Sequence, residues 1–159
     1  MKQFMAITTG SIAMLLAGCG GADPDRPPEV RIGDSVCAEC NMIISDERWA
    51  TVTVIEGPRG PTPLLFDDYN CQVNHETRNP DMTILTRWSH SHASGEWIRT
   101  NDAVFLASPQ LRSPMGSGVA AYADRDEAAG SQSELGGELM GPDEAWERLR
   151  PDEPDRQAP

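Results

Sequence analysis

A chain of 159 residues with 25 acids against 13 lysines and arginines carries a formal charge of −12. Such a surface repels a phosphate backbone, which argues against any nucleic-acid partner. With 38% hydrophobic residues it can bury one small core, or two half-size lobes that share one.

The chain opens on Lys2 and a mostly apolar run over residues 4–16, too short for a membrane span and suited to the core of a signal peptide. Leu16-Ala17-Gly18-Cys19 follows. Small residues ahead of a cysteine at that point resemble the lipobox of bacterial lipoproteins. By that resemblance residues 1–18 are removed and Cys19 is lipidated; the alternative is an ordinary signal peptide cleaved near Ala17. Acyl chains on Cys19 would hold the mature protein to a lipid membrane. Export would place it on the periplasmic face of the cell envelope, at the outer membrane. What remains has no lysine, and 12 arginines against 25 acids leave a charge of −13. Residues 19–29, rich in Gly, Pro and Asp, read as a flexible tether. A folded domain is expected over residues 30–149, and residues 150–159, with their prolines and acids, read as a disordered tail.

Within that domain the first landmark is Cys37-Ala38-Glu39-Cys40-Asn41-Met42. An exported compartment is oxidising, so the three cysteines Cys37, Cys40 and Cys71 need a reason to be there. An odd number cannot all pair within one chain. A Cys-x-x-Cys pair suits a redox disulfide, half of a zinc site or a soft-metal thiolate site. A thioredoxin-like pair belongs at the start of a long helix, whereas Cys40 precedes a short polar stretch and then a strand. A closed zinc site takes four N or S ligands, and a second Cys-x-x-Cys is missing. Met42 favours the third reading, because a thioether binds Cu(I) well and zinc poorly. In an extended segment Cys40 and Met42 would point the same way and face one ion. The plain alternative for Met42 is a core position.

Residues 49–55 and 62–66 read as strands joined by turn residues Gly57, Pro58, Gly60 and Pro61, a hairpin. Asp67 or Asp68 is expected to cap a helix through about residue 77, with the other carboxylate exposed. That helix carries Cys71, read as a small buried hydrophobe or as a disulfide partner of Cys37, and His75, read as surface. Residues 82–88 form a third strand. His90 and His92 follow, either as two exposed loop histidines or as candidate nitrogen ligands on one side of an extended segment. Residues 96–99 and 103–106 are expected to pair with each other around Asn101-Asp102. Met115 sits in a Gly/Pro-rich loop, as an anchor or as a ligand. A strand over residues 118–122, a helix capped by Asp124, a break at Gly136-Gly137, a strand over residues 138–140 and a helix opened by Pro142 complete the domain. Strand, Asp, helix, strand therefore occurs twice, which predicts an α+β fold of two small related ββαβ-type lobes, over about residues 30–92 and 93–149.

Cys37-x-x-Cys40-x-Met42, Phe66-Asp67-Asp68 with Cys71 behind it, Pro114-Met115-Gly116, Ala120-Ala121-Tyr122 and Gly136-Gly137, in that order, resemble the NosL family. Its members are lipoprotein copper chaperones of nitrous oxide reductase maturation. The resemblance implies a fold related to the organomercurial lyase MerB and one Cu(I) bound through Cys and Met. Carried over by position, Cys40 is the thiolate donor, Met42 a nearby thioether, Met115 the donor from the second lobe and Cys37 a further contributor. Some members place a histidine two residues beyond the loop methionine; here Ser117 stands there. The implied acceptor is nitrous oxide reductase or its assembly machinery, and the implied role is not enzymatic. The rival readings are a periplasmic thiol-disulfide oxidoreductase and a MerB-like enzyme handling organometals, with Glu39 or Asp67 as its acid.

Overall fold

The computed structural model describes residues 22–151. The expected signal peptide, the lipidation site Cys19 and residues 152–159 of the tail lie outside the described residues. Strand β1 (Thr51–Gly57) pairs antiparallel with β2 (Gly60–Phe66), closed by the Gly57↔Gly60 turn. The β-branched run Thr51-Val52-Thr53-Val54 is wholly buried, as a central strand should be. Helix α1 (Tyr69–Arg78) then crosses to β3 (Ile84–His90), which pairs with the other edge of β1. A short strand β4 (Trp97–Arg99) adds outside β3, so the first sheet runs β2-β1-β3-β4.

The second half repeats the plan. Strand β5 (Val104–Ala107) is central, flanked by β6 (Val119–Tyr122) and β7 (Glu138–Met140), with α2 (Arg125–Leu135) between those two in sequence. Helix α3 (Pro142–Leu149) closes the chain. In both halves the first strand is the middle one and the helix leaves the second, so the ββαβ repeat is present in topology as well as in order. Asp124 caps α2 as expected, accepting from the N–H groups of Asp126 and Glu127 at 2.9 Å each. At Gly137 the backbone lies so close to the Ala107 carbonyl that a Cβ would collide with it, which explains the second glycine of that pair.

One strand pairing differs from expectation. β4 pairs with β3, and β5 belongs to the other sheet. Residues Thr100–Asp102 form a 3₁₀ turn that carries the chain from one sheet to the next. Thr100 is fully buried with its hydroxyl 2.8 Å from that of Ser89, which holds β4 against β3. The first sheet thus extends through Arg99, past the expected lobe boundary near residue 92.

Helix α1 joins the two halves. Tyr69 at its start is fully buried in the second lobe's core, edge-on to Phe105 at 5.4 Å and beside Trp146. Glu76, near its end, accepts from Thr53 at 2.6 Å, from the Arg87 guanidinium and from the Trp146 indole N–H at 3.0 Å. Both contacts fix α1 between the lobes, and α1 also supplies one wall of the site.

Candidate metal centre

Residues 33–44 double back as a small hairpin-like loop. Val36 bridges Ile43, Gly33 N–H donates to the Ile44 carbonyl and Ile44 N–H to that of Ser35. The loop tip is pinned to the free edge of β2 by Ala38 N–H donating to Leu65 O at 2.8 Å. Two further bonds, Cys37 N–H to Met42 O and Asn41 N–H to Cys37 O, close the tip on itself. Asn41 takes a left-handed φ of 59°, a conformation asparagine tolerates better than most residues. The expected extended geometry for Cys40 and Met42 is therefore wrong, because the backbone turns between them. Met42 is not a core residue either; it stands 56% exposed.

This turn sends the two thiols inward. Cys37 is fully buried, Cys40 half-buried, and both face the first turns of α1, where Cys71 is buried. The three cysteines are free, and their sulfurs all lie within 4.8 Å of one another. No histidine or carboxylate among the described residues joins them at that spacing. Cys71 is the small buried side chain expected, 3% exposed and clustered with Ile44, Ala50 and Phe66, and its thiol is free rather than bonded to Cys37. It is the third member of a thiol cluster, missed in sequence because its partners lie more than thirty residues away.

The thiols are not equivalent. The Cys71 S–H directed at Cys37 pushes the Cys37 thiol down to about 5, against the cost of burial, helped by backbone groups of Cys40, Asp67 and Glu39. Donating that hydrogen raises Cys71, and burial raises it further. Burial also raises Cys40. This arrangement favours a thiolate on Cys37 beside two protonated thiols at neutral pH. An ultraviolet thiolate titration of the reduced protein should show one of the three ionising near pH 5 and the other two above the ordinary thiol range. Cys71→Ala should move the first step upward, since the largest cause of the shift is removed. A single step near the ordinary value would contradict the arrangement.

The family model NosL matches residues 30–149. The chain belongs to the NosL family. Its fold is also similar to the crystal structure of the copper chaperone NosL from Shewanella denitrificans, with a TM-score of 0.61 at 14% identity. That match covers 76% of this chain and 96% of the other. No curated protein matches.

In this NosL-family chain the two aspartates do work unlike that expected of them. Neither is exposed and neither caps α1 through its side chain. Asp67 Oδ1 accepts from Ser45 N–H at 2.8 Å; burial raises its proton affinity, and the nearby Cys37 adds to that. Asp68 Oδ2 accepts from Ser113 Oγ at 2.7 Å, Met115 N–H at 2.9 Å and Ser117 N–H at 3.2 Å. Asn70 adds a bond from its side-chain amide to Met115 O at 3.1 Å. The Met115 loop is therefore lashed to the first turn of α1, the turn that also bears Cys71. Met115 itself is 38% exposed. Ser117 spends its hydroxyl on Ser113 Oγ at 3.0 Å and Val119 N–H at 3.3 Å.

Glu39, inside the Cys-x-x-Cys pair, is bound by α1. Its carboxylate lies 3.1 Å from His75 Nδ1 and pairs with Arg78. His75 is thus no plain surface residue; it packs on Phe66 and holds the loop tip to the helix. His90 and His92 are not exposed loop residues. His90 ends β3, is 2% exposed, stacks on Trp97 at 3.6 Å and lies 3.1 Å from Ala50 O. His92 packs on Trp49 and Tyr122. Burial holds both imidazoles below their ordinary proton affinity, so they stay neutral at pH 7.

Proposed function

We propose that this chain binds one Cu(I) and carries it, as substrate, to nitrous oxide reductase or its assembly machinery, without catalysing a reaction. The single observation that carries the reading is the cluster of three free thiols within 4.8 Å of one another. Thiolates and thioethers together are a soft donor set suited to a monovalent copper ion. Cys37, Cys40, Met42 and Met115 are the ligands proposed from sequence; His90 and His92 are engaged by aromatic neighbours and are not part of this reading. A lipid on Cys19 would hold the carrier at the periplasmic face of the outer membrane; the segment after it, expected to be a flexible tether, is bonded to the first sheet by Ala22 N–H to Pro61 O at 3.0 Å and by Asp25 to Arg99 at 2.8 Å.

A thiol-disulfide oxidoreductase fits less well. Attack on a substrate disulfide needs an ionised, reachable sulfur. Here the ionised sulfur, Cys37, is fully buried, and the more accessible Cys40 has its proton affinity raised by burial.

The test is a titration of the reduced protein with Cu(I) against a competing chromophoric chelator. One tightly held ion per chain is expected, abolished by prior alkylation of the thiols. Binding no tighter than that of the alkylated protein would remove the reading.

A further inference from the structure

Five sulfurs are graded from inside to outside. Cys37 and Cys71 are 0% and 3% exposed, Cys40 is half-buried, and Met115 and Met42 are 38% and 56% exposed. A metal–thiolate bond of about 2.3 Å gives a three-thiolate complex an S–S edge of about 4 Å. The trio, already within 4.8 Å, closes on an ion with sub-ångström shifts. An ion sunk between Cys37 and Cys71 has little open face for an incoming ligand, yet transfer by ligand exchange needs one.

Only Cys40 belongs both to the trio and to the surface. Its sulfur is approached by the backbone N–H of Met42, whose side chain stands in solvent. From the opposite lobe comes Met115, fixed through Asp68 and Asn70 to the helix turn carrying Cys71. Resting on the carrier reading above, we propose that the cargo uses two ligand sets sharing Cys40. An inner set, Cys37, Cys40 and Cys71, stores Cu(I). An outer set, Cys40, Met42 and Met115, presents it to the acceptor. In passing outward the ion keeps its charge and no electron moves. Its bonds to the Cys37 and Cys71 sulfurs break and bonds to two thioether sulfurs form. Cys37 remains a thiolate, and Cys71 takes a proton from solvent. The outer set carries one thiolate against one Cu(I), so the complex offered to a partner is neutral.

The experiment uses the full reduced chain in detergent, loaded with Cu(I). A chromophoric bidentate chelator serves first as equilibrium competitor and then, in excess, as a timed acceptor. Cys71→Ser, with Cys71→Ala as a second variant should the serine perturb folding, is expected to lower affinity by at least about tenfold. Met42→Leu and Met115→Leu are expected to lower affinity less than Cys71→Ser does but to slow extraction by about tenfold or more. X-ray absorption should then report three thiolate sulfurs on copper in both methionine variants. Equal affinity losses in the cysteine and methionine variants would mean one composite site and would overturn the proposal, as would an unchanged affinity in both Cys71 variants. Failure of the unsubstituted chain to bind Cu(I) is a different result, which removes the carrier reading and this proposal together.

Discussion

Cys37→Ser is expected to weaken Cu(I) binding about a thousandfold, a loss of about 4 kcal/mol. Cys37 is the one sulfur of the cluster that needs no deprotonation before it binds, since its thiol is pushed down to about 5. A serine there removes both softness and charge, because its hydroxyl stays protonated and oxygen is a hard donor. The same buried backbone groups that stabilise the thiolate can receive a hydroxyl, so the fold should survive. The sign of the pH dependence separates this account from a simple loss of packing. Metal binding to the wild-type trio releases protons from Cys40 and Cys71 only, so the logarithm of affinity should climb by about two per pH unit between pH 6 and 8. The variant still releases those two protons. Its line should lie lower with the same slope. A drop under tenfold, or a slope reduced by one proton, would mean that Cys37 is an ordinary protonated thiol.

Local chemistry made most of the scaffold readable in advance. The β-branched run of β1, the Gly and Pro turn after it, the Asp124 cap and Pro142 at the head of α3 each act over a few residues. The repeated strand–Asp–helix–strand order was legible for the same reason, and it yields two sheets of matching topology. What was not legible depends on distant partners. Residues 96–106 look like a hairpin, yet the buried Thr100 hydroxyl meets Ser89 and assigns β4 to the first sheet. Cys71 gave the signal of an unpaired third cysteine, but only the packing of the loop at residues 33–44 on α1 brings Cys37 and Cys40 to it. His90 and His92 carry the polarity of loop residues and are covered by Trp97, Trp49 and Tyr122, contributed by three separate segments. A left-handed Asn41 likewise leaves no mark that tells Cys40 and Met42 apart from an extended pair.

Asp68 tests how far the two lobes have diverged, because Asp68 and Asp124 hold the same place before their helices. Asp124→Ala should cost about 1 kcal/mol, the ordinary loss of an exposed N-cap. Asp68→Ala should cost about 3 kcal/mol or more. It leaves the Met115 and Ser117 N–H groups and the Ser113 hydroxyl without their shared acceptor, and bonds to a charged oxygen are worth more than neutral ones. Fully buried and facing no cation in the ion pairs of the described residues, the Asp68 carboxylate relies on those donors and on the positive end of α1. Asp68→Asn keeps an acceptor oxygen and should recover much of the loss. Urea unfolding of the three variants reads the energies, and limited proteolysis between Ser113 and Gly118 reads the loop. If the Asp68 and Asp124 alanine variants lose equal stability and the loop resists cleavage, Asp68 is a cap like its counterpart. If the loop is freed while the thiol titration stays in place, the Asp68 carboxylate, more than the Asn70 amide, holds the second lobe's methionine loop to the first turn of α1.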